Sequence, residues 1–122
     1  MTPRKKILII DDDNDFREII SIYLHDAGYA VLTAINGEDA KEQLALTTPD
    51  LIVLDMIMPV LDGMAFLHWL QQIGKQDIPI LALTGLYKEN IESQALKFGA
   101  NAVLGKPCLP DEIIESIAML LN

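Results

Sequence analysis

Cysteine is almost absent from the 122-residue chain. Cys108 stands alone, so no intrachain disulfide and no Cys-x-x-Cys metal site can form. Positive charge is scarce as well: nine Lys and Arg face eighteen Asp and Glu, a net charge of -9. That balance excludes sequence-independent nucleic-acid binding, which needs clustered bases, and suits a divalent cation or a basic partner surface. Long apolar runs are missing; no stretch nears the ~20 residues of a membrane helix. The basic start MTPRKK leads only into Ile7–Ile10 before three acids, too short for the hydrophobic region of a secretion signal. A cytoplasmic chain with no membrane span is the expectation. Repeats, low-complexity tracts and linkers are absent too. With 51% hydrophobic and 22% charged residues, the chain can bury a core without staples, and residues 1–122 are expected to form one domain.

What is present is a regular alternation. Short apolar runs predict strands at Lys5–Ile10, Ala30–Ala34, Leu51–Leu54, Ile78–Leu83 and Ala102–Leu104. Helical spacing fills the intervals. After Asn14 as N-cap, with Asp15 and Glu18 at the positive helix end, Phe16, Ile19, Ile20, Tyr23 and Leu24 recur as one face, and Gly28 stops the helix. Asn36-Gly37 opens a second helix to about Thr47, with Ala40 and Leu44 inward. A third covers Met64–Ile73 around Phe66, Leu67 and Leu70, with Trp69 at its edge, and a fourth runs from Lys88 to Phe98. The last starts near Pro110-Asp111 and turns Ile113, Ile114, Ile117, Ala118 and Leu121 inward. Strand and helix alternating five times with short connections imply a parallel sheet covered by helices on both faces.

The chemistry gathers at strand ends. The stretch LIVLDMIMPVLDG runs from a buried strand into one carboxylate, Asp55, and then into a loop where Pro59 cannot continue a ladder and Asp62-Gly63 makes a turn. A lone Asp at such a place would merely cap the turn. Four of the five strands, however, end in polar groups: Asp11 and Asp12 after the first, Asp55 after the third, Thr84 after the fourth, Lys106 after the fifth. In open α/β sheets these ends border the ligand crevice. Three carboxylates cannot all stay ionised in a small site without counter-charge. A divalent cation and the Lys106 ammonium are the available remedies, and all-oxygen ligation suits Mg²⁺ or Mn²⁺ better than zinc. A hydroxyl and an ammonium facing such a cation would clamp a phosphoryl group, with a carboxylate as nucleophile.

The order DD, then D with MPxxDG, then T, then KP resembles the response regulator receiver domain of two-component signalling, over essentially the whole chain. The resemblance implies a flavodoxin-like doubly wound five-stranded parallel sheet of order 2-1-3-4-5 with five helices. It implies Asp55 as phosphoacceptor and Asp12, Asp55 and the backbone carbonyl of Ile57 as Mg²⁺ ligands, with Asp11 reaching the metal through water. Thr84 resembles the hydroxyl that contacts the phosphoryl oxygens. Lys106 resembles the ammonium that pairs with Asp55 and then with the phosphate, and Pro107 the family's cis-peptide proline. The implied partners are a sensor histidine kinase or phosphotransfer protein as donor, and a downstream target protein or output domain. The chain would catalyse its own phosphotransfer without being an enzyme in the ordinary sense.

Three departures stand against that pattern. Val103 occupies the place where the family usually carries Tyr or Phe, the aromatic that moves inward as the Thr engages phosphate. Without it, the response is expected to fall on the loop after Thr84, with Tyr87 as substitute. Gly85 stands where Ala is common. No Lys or Arg occurs from Cys108 to Asn122, so the charged pairing of dimeric winged-helix regulators cannot form in its usual way. The resemblance implies that Ile57 and Leu86 stand at the positions flanking the approach of water to the acceptor, and neither side chain can hydrogen-bond. His25 and His68 lack a second ligand at metal spacing and are expected to face solvent; Asp13 and Asp62 are expected to serve loops and turns; Met56 and Met58 are structural loop residues. Two rivals remain. One is a pseudo-receiver that docks partners without phosphorylation, and the other is an unrelated Mg²⁺ phosphatase. The phosphatase would carry a second acid two residues past the nucleophile, where this chain has Ile57.

Overall fold

The structure, a computed structural model, describes residues 3–58, 60–85 and 88–122. The expectations that fell on Pro59, Leu86 and Tyr87 lie outside the described residues. The elements are β1 (Lys6–Ile10), α1 (Asn14–Asp26), β2 (Ala30–Ala34), α2 (Gly37–Leu46), β3 (Leu51–Asp55), α3 (Gly63–Gln72), β4 (Ile80–Thr84), α4 (Lys88–Lys97), β5 (Ala102–Gly105) and α5 (Pro110–Leu121). All strand pairs are parallel and the order is β2-β1-β3-β4-β5. This is the flavodoxin-like doubly wound arrangement.

The apolar runs are continuous because the central strands are covered on both sides. Successive residues alternate between two core layers. Leu8, Ile10, Ile52, Leu54, Ile80 and Ala82 meet Ala40, Leu44, Phe66, Leu67 and Leu70 of α2 and α3, and Ala95 of α4. Ile7, Ile9, Leu51, Val53, Leu81 and Leu83 meet Ile20 and Leu24 of α1 and Ile113 and Ile117 of α5. The edge strands β2 and β5 are only half-buried for most of their length.

Two helix expectations change. The N-cap of α1 is Asp13, whose carboxylate accepts from the Asp15 and Phe16 N–H groups; Asn14 is already the first helical residue. A carboxylate one residue earlier reaches two orphan donors and complements the positive helix end. Ile19 and Tyr23 are exposed rather than inward. The buried stripe follows Ile20 and Leu24 with Phe16 against it, and residues one position earlier are rotated off the sheet.

The strand ends converge at one edge. Ile10 is in register with Leu54, Asp55 with Leu83, and Thr84 with Gly105. Directly beneath this edge α3 begins at Gly63, capped by Asp62, which accepts from the Ala65 N–H. A Cβ at Gly63 would lie 2.6 Å from the Met56 Cα and Sδ and 3.1 Å from the Asp55 carbonyl oxygen. Backbone cannot yield as a flexible side chain does. Gly63→Ala is therefore expected to destabilise the fold by roughly 1–3 kcal/mol in urea unfolding; an unchanged midpoint would contradict this close approach.

Candidate functional site

β1 ends at Ile10, and Asp11 turns into the edge of the sheet with its residue 1% exposed. Its amide still donates to the Ala34 carbonyl, which extends the sheet alignment by one residue. The Asp11 carboxylate is fully engaged: Oδ1 accepts from the Asp13 N–H at 2.9 Å and Oδ2 from the Lys106 ammonium at 2.6 Å. Asp12 follows, exposed. Asp55, the last residue of β3, is buried, and its Oδ1 accepts from the Ile57 N–H at 3.1 Å. Carboxylate oxygens of Asp11, Asp12 and Asp55 lie within 4.8 Å of one another, the expected acidic cluster.

Thr84 closes β4. It is fully buried, and its Oγ1 has no hydrogen-bond partner among the described residues. The Lys106 N–H donates to the Thr84 carbonyl, which ties the end of β4 to the loop after β5. The Lys106 side chain then crosses to the acids. Its ammonium lies 3.7 Å from Asp55 Oδ2 but is closer to Asp11. The expected pairing with Asp55 is thus the longer of two. The ammonium sits on the more deeply buried carboxylate, where attraction is least screened. The Lys106–Pro107 peptide is cis.

Burial pushes the Asp55 carboxyl up from an ordinary 3.8 to about 6. The Ile57 N–H and the Lys106 ammonium work against that rise, and the negative charges of Asp11 and Asp12 add to it. For Lys106, burial alone would lower the pKa; the hydrogen bond and charge of Asp11, with the charges of Asp55 and Asp13, outweigh it and hold the ammonium above the usual lysine range. Burial, then the Glu112 carboxylate, pushes the Cys108 thiol up, so it stays protonated.

The remaining candidates stay outside this cluster. His25 and His68 are exposed, and Asp13 and Asp62 cap α1 and α3. The Ile57 side chain is exposed, with its backbone N–H on Asp55. Val103 is half-buried against the core layer of α2, α3 and α4. Two residues not singled out from the sequence touch the site. The Phe16 ring centroid lies 4.4 Å from the Lys106 ammonium. Beside them opens a largely apolar cleft of about 380 Å³ lined by Asp13, Phe16, Gly85, Lys106, Pro107 and Cys108. The Arg17 guanidinium donates to the Asp11 carbonyl at 2.7 Å. Phe16 reads in sequence as a core residue, and Arg17 as an ordinary helix charge; only an i+6 offset from Asp11, one turn into α1, hints at the latter contact.

Residues 7–118 match the profile of the family described as "Response regulator receiver domain". The alkaline phosphatase synthesis transcriptional regulatory protein PhoP of Bacillus subtilis (strain 168) is 37% identical over 118 residues, 97% of this chain and 49% of that protein. The chemotaxis protein CheY4 of Vibrio cholerae superposes with a TM-score of 0.90 at 31% identity, covering 98% of this chain and 100% of that one. The Francisella response regulator 1452 receiver domain gives a TM-score of 0.90 at 29% identity, with 97% of each chain covered. The chain spans about half the length of the curated relatives it matches. Among the described residues no helix is long and apolar enough to cross a membrane.

The raised pKa of Asp55 has a signed consequence for stability. Between pH 3.8 and about 6 the folded chain keeps a proton that the unfolded chain has lost. The contribution of Asp55 is therefore full below about pH 4 and is lost as the pH rises through about 6. In chelator, Asp55→Asn is expected to unfold later than the parent at pH 7.5, by roughly 1–3 kcal/mol, with the difference fading toward pH 4. Equal stability of the two at pH 7.5 would show that Asp55 carries no burial strain.

Proposed function

The chain belongs to the family of response regulator receiver domains, and on that premise we propose that it is a phosphorylation switch of two-component signalling with Asp55 as the phosphoacceptor. Support comes from one juxtaposition: a buried carboxylate, an ammonium 3.7 Å from it, and a buried hydroxyl with no partner among the described residues, all at the carboxyl edge of one sheet. The donor is a phosphohistidine, on a sensor histidine kinase or a phosphotransfer protein. The setting is cytoplasmic, and the signal passes to an output domain or a separate target protein.

The acidic cluster fits a divalent cation: three carboxylates offer oxygens within 4.8 Å of one another, and among the described residues no His or Cys joins the group. Asp12, Asp55 and the Ile57 carbonyl would hold Mg²⁺, with Asp11 contributing through water. Bound there, Mg²⁺ supplies charge neutralisation for the carboxylates and the phosphoryl oxygens.

The chain's own residues do the rest. An Asp55 oxygen attacks phosphorus; its O–P bond forms as the N–P bond to the donor histidine breaks, and that electron pair leaves with the imidazole. The Ile57 N–H holds Oδ1 and so fixes the carboxylate plane. At neutral pH the Asp55 carboxyl is mostly ionised, as a nucleophile must be, because about 6 still lies below 7. Lys106 has two carboxylates in reach, and its bond passes to a phosphoryl oxygen once Asp55 carries the phosphoryl group as an acyl phosphate. The Thr84 hydroxyl gains the acceptor it lacks.

Incubation with a small acyl-phosphate donor and Mg²⁺ is expected to add one phosphoryl group by intact mass. None should be added in chelator or in Asp55→Asn; undiminished uptake by that variant would refute the assignment. A folded parent chain that takes up nothing would instead be a phosphate-independent docking domain. Thr84→Val separates stability from function. Removing a buried unpartnered hydroxyl should stabilise the unphosphorylated fold by roughly 1 kcal/mol. The same change should slow phosphorylation, so a variant that is both no more stable and equally fast would remove Thr84 from the site.

A further inference from the structure

The three acids are not held alike. Asp11 is fixed by the Asp13 N–H and Lys106, and Asp55 by the Ile57 N–H. The Asp12 carboxylate is exposed and makes no hydrogen bond among the described residues. Its direction depends on the backbone that carries it, and above all on the peptide between Asp11 and Asp12. β1 has ended by then, so the sheet offers the Asp11 carbonyl no donor. The donor is Arg17 of α1, half-buried, with one guanidinium nitrogen on that carbonyl at 2.7 Å and another on Asn14 Oδ1. Arg17 makes no salt bridge among the described residues, and its own carbonyl accepts from the Ser21 hydroxyl. Its side chain borders an open polar cleft with Asn14, Glu18, Ser21 and Thr33 and is no part of either core layer.

We infer that Arg17 is a positioning residue: its guanidinium clamps the peptide plane ahead of Asp12 and thereby aims that carboxylate at Asp55. The bond to the carbonyl is charge-assisted, and the second arm on Asn14 anchors the guanidinium to the first turn of α1. The inference rests on the proposed cation role of Asp12 and Asp55.

Coulomb's law and positioning predict opposite signs here, which makes the inference testable. A cation beside an acidic site repels Mg²⁺, so removing the charge of Arg17 should tighten binding if charge were all that mattered. Loss of the clamp should weaken it, by about tenfold, the low end of the range for groups that orient metal ligands. Mg²⁺ titrations by calorimetry of the parent, Arg17→Met and Arg17→Lys are compared, with thermal melts confirming that each is folded. The metal-free proteins are compared by the ¹⁵N heteronuclear NOE of the Asp12 and Asp13 amides. The expected result is weaker Mg²⁺ binding in Arg17→Met, a smaller loss in Arg17→Lys, and lower NOE values in the metal-free Met variant. Binding that is equal or tighter in Arg17→Met, or unchanged NOE values in it, overturns the clamp. Should Arg17→Met fail to fold, Arg17→Lys decides on the same two readouts. A parent chain that binds no Mg²⁺ at millimolar concentration overturns the functional reading itself, and the inference with it.

Discussion

Carboxylates of like charge, packed within 4.8 Å at the rim of an apolar sheet, are the constraint on which the site depends. Such a cluster is unstable alone, because each charge raises the cost of ionising the next. Lys106 answers part of it through a 2.6 Å bond to Asp11, across 95 residues of sequence. That bond spans the sheet from the loop after β5 to the end of β1, over the ends of β3 and β4. In this strand order the ammonium reaches two acids at once, 2.6 Å from Asp11 and 3.7 Å from Asp55. The doubly wound topology is what turns residues remote in sequence into one electrostatic unit.

The sheet also explains why the acids tolerate this arrangement. β1, β3 and β4 are covered on both faces and hold the strand ends rigidly in register. Asp11 is nearly inaccessible and paired, Asp55 is buried and only partly compensated, and Asp12 is exposed. The gradient runs from structural to available. Asp55 is left under-compensated and its pKa is raised, because burial removes its water while the nearest cation sits on its neighbour.

Much of this was legible in the sequence because it rests on strong local signals. Continuous apolar runs marked the buried strands, and alternation with helical spacing implied a parallel sheet. Strand order was not legible from periodicity, which carries no information on neighbours in space; it came with the family resemblance. Boundaries moved by a residue or two where caps decide them, as with Asp13 in place of Asn14. Ile19 and Tyr23 misled because an apolar side chain need not be buried; the sheet accepts only a narrow stripe of α1. The acids, Thr84 and Lys106 were legible as strand-end polar groups. The contacts of Phe16 and Arg17 were not, since they depend on how the first turn of α1 leans over the loop.

Among the described residues Thr84 Oγ1 is the one buried side-chain polar atom without a hydrogen-bond partner, and Asp55 beside it is a buried carboxylate only partly compensated. Local inconsistencies of this kind collect at functional sites. The same edge shows how a change there could travel with Val103 in place of an aromatic. Val103 is β-branched and packed on the core layer, so it has little rotamer freedom to offer. The coupling that remains is backbone: the Lys106 N–H on the Thr84 carbonyl joins the ends of β4 and β5 directly. A displacement of Thr84 toward a new partner would draw on that bond, and so on Lys106, whose side chain already bridges the acids. The Thr84 backbone, the Lys106 ammonium and the carboxylates of Asp11 and Asp55 are thus joined through one residue, Lys106, without an aromatic side chain.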